Sequence, residues 1–101
     1  MNEINIAGRK IGLGYDPLVI AEIGINHGGD IKEAFKLVDA AYAAGAEIIK
    51  HQTHLPEFEM SEEAKKIIPV HAKENIFKII SDCSLSEKEE IKLKKYIQNI
   101  A

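Results

Sequence analysis

A chain of 101 residues and 11.2 kDa is long enough for one domain, near the lower end of what builds a self-sufficient core. Its 13 basic and 16 acidic side chains give a net charge of -3 with no basic face or arm, which argues against nucleic acid as the main partner. The lone Cys83 excludes an intramolecular disulfide framework, and apolar runs of four or five residues fall far short of a membrane span. With no signal-peptide stretch at the N-terminus, these features lead to the expectation of a cytoplasmic protein that needs no membrane.

In chain order, residues 2–14 read as a small hairpin. Ile4 and Ile6 alternate with polar residues, Gly8-Arg9 supplies the turn, and Ile11 and Leu13 alternate on the return. Pro17 then biases Asp16 away from helix. Leu18 to Ile23 is a short apolar run rich in β-branched residues, as expected of a parallel strand covered on both faces, with Glu22 as its exception. A loop with three glycines follows, Gly24-Ile25-Asn26-His27-Gly28-Gly29.

Asp30 is a candidate N-cap, with Glu33 placed to close a capping box. Ile31, Ala34, Phe35, Val38, Ala41 and Tyr42 then recur with helical spacing, and Gly45 can end the helix in the left-handed conformation. Residues 46–53 form a second strand with Lys50 just after its apolar part. Strand, loop, helix and strand make a βαβ unit, right-handed by rule, and the expected class is parallel α/β.

The remainder reads as helical. Residues 61–68 form a short helix stopped by Pro69. Ile76, Ile79, Ile80 and Cys83 share one face of another. Ser86 and Glu89 form a capping box for a third, whose Leu93, Tyr96, Ile97 and Ile100 line one side. Two parallel strands cannot close a sheet, so a (β/α)8 barrel, which needs on the order of 200–250 residues, would be present only in part.

In parallel α/β folds ligands lie beyond the carboxyl ends of the strands. Glu22, Lys50 and Gln52 all fall there. A carboxylate and an ammonium on adjacent strands can hold an anionic substrate and move a proton beside it, or simply pair with each other. Asn26 and His27 could bind a ligand or cap the turn. The glycine loop matches neither common phosphate-binding spacing. His51-x-x-His54 is a poor metal signal without a third ligand. Cys83, on an apolar stripe, reads as a small hydrophobe, and His71 as a surface residue or a substrate contact.

The stretch Val19-Ile-Ala-Glu-Ile-Gly-Ile-Asn-His-Gly-Gly29, the helix ending Asp39-Ala-Ala-Tyr-Ala-Ala-Gly-Ala46, and Ile49-Lys-His-Gln-Thr-His54 together resemble the opening of the sialic acid synthases. Glu57-Phe-Glu-Met-Ser61 and Ala64-Lys-Lys-Ile-Ile-Pro69 extend the resemblance. The family comprises N-acetylneuraminate synthase and its legionaminate and pseudaminate relatives. The resemblance implies that residues 1–17 are an N-terminal β-hairpin plug and turn, and that residues 18–101 are the first βα units of a TIM-barrel synthase domain.

It further implies condensation of phosphoenolpyruvate with N-acetylmannosamine or a related acylated aminosugar. Glu22 would handle the proton at the reacting centre, Lys50 would hold phosphoenolpyruvate, and Gln52 would line the pocket. His71 stands where close relatives often carry an asparagine that touches the sugar. A divalent metal, typically Mn2+, would be held by histidines outside this chain, and the full-length enzyme would be a homodimer. On this reading the chain is inactive alone. Two other classes stay open: another phosphate-binding barrel, such as a Schiff-base aldolase using Lys50, and a non-enzymatic α/β module that associates with itself.

Overall fold

A computed structural model describes residues 2–100; Met1 and Ala101 lie outside the described residues. The described residues form two small sheets and five helices. Strands β1 (Glu3–Ile6) and β2 (Arg9–Gly12) pair antiparallel, with Glu3 opposite Gly12 and Ile6 opposite Arg9. The turn is Ala7-Gly8 rather than Gly8-Arg9. Ala7 (φ 49°) and Gly8 (φ 90°) both take positive φ, as a two-residue hairpin turn requires, and Arg9 already belongs to the returning strand. The Asn5 side chain accepts from the Gly8 N–H at 2.8 Å, and Leu13 lies beyond the strand, fully exposed.

Strand β3 (Ile20–Gly24) pairs parallel with β4 (Ile48–His51), the βαβ order expected. Ile20 faces Ile48, and Glu22 faces Lys50. A bulge then shifts the register, so that Gly24 faces His51. The expectation that the first strand is covered on both faces fails here. Ile23 is buried against helices, whereas Ile20 on the other face is 51% exposed. Among the described residues no element covers that second face, and no closed barrel is formed.

Helix α1 (Ile31–Ala43) starts at Asp30, whose side chain accepts from the Lys32 N–H. The capping box does not close. Glu33 pairs with Lys36 instead, and the Asp30 N–H donates to the His27 carbonyl. At the other end Gly45 (φ 92°) completes a Schellman arrangement, with Gly45 N–H to Tyr42 O and Ala46 N–H to Ala41 O.

Helix α2 (Pro56–Glu59) is a single helical turn in a stretch to which the sequence assigns no element. Helix α3 (Glu62–Lys65) is capped by Ser61 and stops before Ile67 and Ile68, because Pro69 disfavours helical geometry in the residue before it. Helix α4 (Ile76–Asp82) is capped by Asn75, and Cys83 at its end is half-buried rather than buried. Helix α5 (Glu87–Ile100) opens with the capping box that Ser86 and Glu89 predict, each accepting the other's backbone N–H.

The core lies between the sheet and two helices. Ile23, Ala34, Val38, Leu85 and Leu93 are buried, and Phe35, Ile49, Tyr96, Ile97 and Ile100 pack around them. Phe35 stacks on Tyr96 with ring centroids 4.3 Å apart, and the Tyr96 hydroxyl donates to Asp39, which fastens α5 to α1. The radius of gyration is 16.9 Å, against about 13 Å for a compact domain of this length. The face of the sheet away from the helices stays open, with Ile20 half exposed on it.

Candidate functional site

The bulge and the pleat decide what lies where. Side chains alternate along a strand, so Ile23, Ile49 and His51 turn to the helices while Glu22 and Lys50 turn to the open face. Glu22 and Lys50 are register partners, and their side chains meet at 3.0 Å between Lys50 Nζ and Glu22 Oε1. Both remain more than half exposed, at 64% and 61%. The pairing that the sequence left as an alternative therefore occurs, but not between buried charges.

Gln52 follows β4, and its amide oxygen would lie 3.7 Å from a Cβ added at Gly24. The Asn26 amide approaches the same point, at 3.8 Å. Gly24 takes φ +54°, a left-handed conformation that turns the chain and favours glycine, while the two amides approach it at ordinary contact distance. Glu22, Lys50 and Gln52 are thus brought to one rim at the carboxyl ends of the strands. His71 stands apart from this group, exposed in the turn between α3 and α4.

The glycine loop is fastened by its own groups. The Asn26 side-chain amide donates to Ile23 O at 2.8 Å, and the Gly29 N–H donates to His27 Nδ1 at 3.0 Å. Both side chains serve the turn, the plainer of the two readings. Gly29 (φ +86°) passes so close to α4 that an added Cβ would lie 2.3 Å from the Asp82 carbonyl oxygen.

Beneath the rim lies a cluster that sequence reasoning missed. His27 is only 3% exposed, and its ring centroid is 5.4 Å from that of His51. His51 Nε2 meets the Glu90 carboxylate of α5 at 2.8 and 3.0 Å, and the Thr53 hydroxyl donates to Glu90 at 3.0 Å. Burial and the neighbouring His51 lower the His27 pKa, opposed by the negative charges of Glu90 and Glu89. The capping box of Ser86 and Glu89 marks where α5 begins, but the meeting of Glu90 with His51 depends on how that helix docks across β4, for which the sequence carries no local signal.

His51 and His54 do not share a site. His54 pairs with Glu59 at 2.8 Å, and Glu59 also caps the Leu55 N–H; these bonds hold the Glu59 carboxyl below its usual range. Among the described residues no group of three or more His, Cys, Asp or Glu could hold a metal ion. His27 is further unsuited as a ligand through Nε2. Its Nδ1 is an acceptor, so Nε2 carries the proton of the neutral ring.

A family model described as the NeuB family matches residues 37–101, well over half of the chain. The chain belongs to the NeuB family. An uncharacterized protein of Methanocaldococcus jannaschii, MJ1065, is 34% identical over 101 residues, which are 99% of this chain and 27% of that one. The N,N'-diacetyllegionaminic acid synthase of Campylobacter jejuni is 43% identical over 49 residues, 48% of this chain and 15% of that protein.

The spore coat polysaccharide biosynthesis protein SpsE of Bacillus subtilis is 44% identical over 52 residues, 52% of this chain and 14% of SpsE. Its crystal structure superposes with a TM-score of 0.63 at 28% identity, over 96% of this chain and 25% of that one. The chain therefore spans about a quarter of the length of these relatives at most. The resemblance to the N-terminal part of the sialic acid synthases holds, and with it a sugar-acid-synthase type of relative. No described helix of this NeuB-family chain is long and apolar enough to cross a membrane.

Proposed function

We propose that this chain supplies the first βα units of a TIM-barrel sialic-acid-type synthase, residues 18–101, with residues 1–17 as a plug at the far end. The complete enzyme would join phosphoenolpyruvate to N-acetylmannosamine or a related acylated aminosugar. The observation that carries this reading is the Glu22–Lys50 pair, in register on adjacent parallel strands at their carboxyl ends and open to solvent.

The enol carbon of phosphoenolpyruvate attacks the aldehyde of the open-chain sugar, water adds, and phosphate leaves by C–O cleavage. The arriving anion takes the Lys50 ammonium from Glu22, by a charge-assisted bond stronger than a neutral one. Glu22 is then free to handle the proton at the reacting centre. Gln52 orients the same ligand, and His71 is assigned to the sugar. The divalent metal, Mn2+ by resemblance, finds no donor set among the described residues, and its ligands are assigned to later parts of the enzyme. Homodimerisation and a cytoplasmic location belong to the same reading.

The test is a chimera. This segment replaces its counterpart in the legionaminic acid synthase of C. jejuni, and product is assayed with phosphoenolpyruvate, aminosugar and Mn2+. Activity should be retained, and should fall at least about 100-fold on Glu22→Gln or Lys50→Met, in line with loss of a general acid–base or of a charge clamp. Full activity in either variant overturns the assignment. The 101-residue chain alone should show no turnover. Borohydride trapping of a carbonyl substrate on Lys50 would instead establish the aldolase class.

A further inference from the structure

Two neighbouring histidines, His27 buried and His51 half-buried, have complementary unmet needs. The Gly29 N–H donates to His27 Nδ1, so the neutral His27 ring carries its proton on Nε2. That Nε2 is buried without a partner: a donor lacking an acceptor. His51 presents Nε2 to both Glu90 oxygens, and a carboxylate only accepts, so Nε2 carries the proton there too. Nδ1 of a neutral His51 is then an acceptor, and it is likewise buried without a donor. The rings are 5.4 Å apart between centroids, inclined at 43°.

Buried polar groups left unpaired are rare and call for an explanation. Here one donor and one acceptor remain, on neighbouring rings. We propose that Gly29, His27, His51 and Glu90 form one hydrogen-bonded relay, closed by His27 Nε2–H donating to His51 Nδ1 directly or over one water. Every proton points the same way, from the β3–α1 loop through β4 to α5. A charged His51 would place a second donor against His27 and break the chain.

The relay makes Glu90 a positioning residue. It acts on His51, whose chain neighbours Lys50 and Gln52 stand at the rim, and the Thr53 hydroxyl bond to Glu90 holds the next residues to the same helix. That the rim so held takes substrate rests on the proposed function. The relay does not, and its test uses no substrate.

Long-range proton–nitrogen spectra of the 15N-labelled 101-residue chain at pH 7.5 report each imidazole tautomer. Both His27 and His51 should be neutral and protonated on Nε2. In Glu90→Ala the His51 ring should pass to mixed tautomers. His27, which does not touch Glu90, should change with it, and the Lys50 to Gln52 amides should shift or broaden. Glu90→Gln, whose carboxamide oxygen can still accept, should restore the His27 signals. Glu89→Gln removes a nearby charge while keeping a capping side chain, and should leave both tautomers as they are. A ring protonated on Nδ1, or doubly protonated, in the unsubstituted chain overturns the relay. So does an unmoved His27 in folded Glu90→Ala. If that variant does not fold, the spectrum of the unsubstituted chain decides alone.

Discussion

On the helix side of the β3–β4 pair, Ile23 joins Ala34, Val38 and Leu93 in the buried core, with Ile49 packed against them. One residue along each strand, Ile20 is half exposed and the Glu22–Lys50 pair stands open to solvent. Both faces come from the same short strands by the period of two. One face carries the buried core and the other the proposed chemistry, so substitutions on the two should differ in kind as well as in size.

The helix face should break first. Gly29→Ala combines a positive φ with a Cβ placed 2.3 Å from a backbone carbonyl oxygen. A loss of about 4 kcal/mol is expected from strain and overpacking together, read as a fall in the denaturant midpoint by circular dichroism. Leu93→Ala leaves a cavity where α5 meets the sheet and should cost about 3 kcal/mol in the same titration. Leu93→Ala unfolding like the parent would mean that this face is not the core, and Gly29→Ala doing so would mean that the loop does not press on α4.

A pH scan sharpens the contrast, because the titrating group lies on the buried side. The His27 pKa is lowered from 6.5, so below that value the unfolded chain binds more protons than the folded one. Stability should be complete above about pH 6.5 and decline as the pH falls toward the depressed value. His27→Gln should remove that part of the slope in thermal melts at pH 7.5 and 5.5; an unchanged slope would show that His27 does not titrate as described.

The open face gives the smallest effect on stability. Glu22→Gln and Lys50→Met break an exposed pair, and each should move the midpoint by less than about 1 kcal/mol. A larger loss would turn the rim into a structural device. Together with a large loss of activity in the chimera, a small shift would mark it as functional.

What could be read from the sequence follows from how local each signal is. Ser86 and Glu89 sit three positions apart, and both of their bonds form as expected. Asp30 caps its helix, yet Glu33 does not return, because Lys36 offers a charge and His27 O already takes the Asp30 N–H. Helix α2 was missed although Pro56 suits a first helical position, because the Glu59 cap on Leu55 N–H shows only in three dimensions. The Glu22–Lys50 pair was within reach since parallel pairing follows from the βαβ unit and both residues fall at the carboxyl ends of their strands. The His27–His51–Glu90 cluster was not, because it depends on how α5 docks across β4.

The hairpin points to a practical consequence. Arg9 grips Glu47 through Nε at 2.9 Å and Nη2 at 3.0 Å, and Nη2 also donates to Asp16 O at 2.8 Å. Glu47 stands just before β4, at the end of the strands opposite the rim. The Ala7-Gly8 turn therefore offers an attachment point for a dye, a spin label or a fused reporter, remote from Glu22 and Lys50 and held to the sheet by a two-toothed clasp.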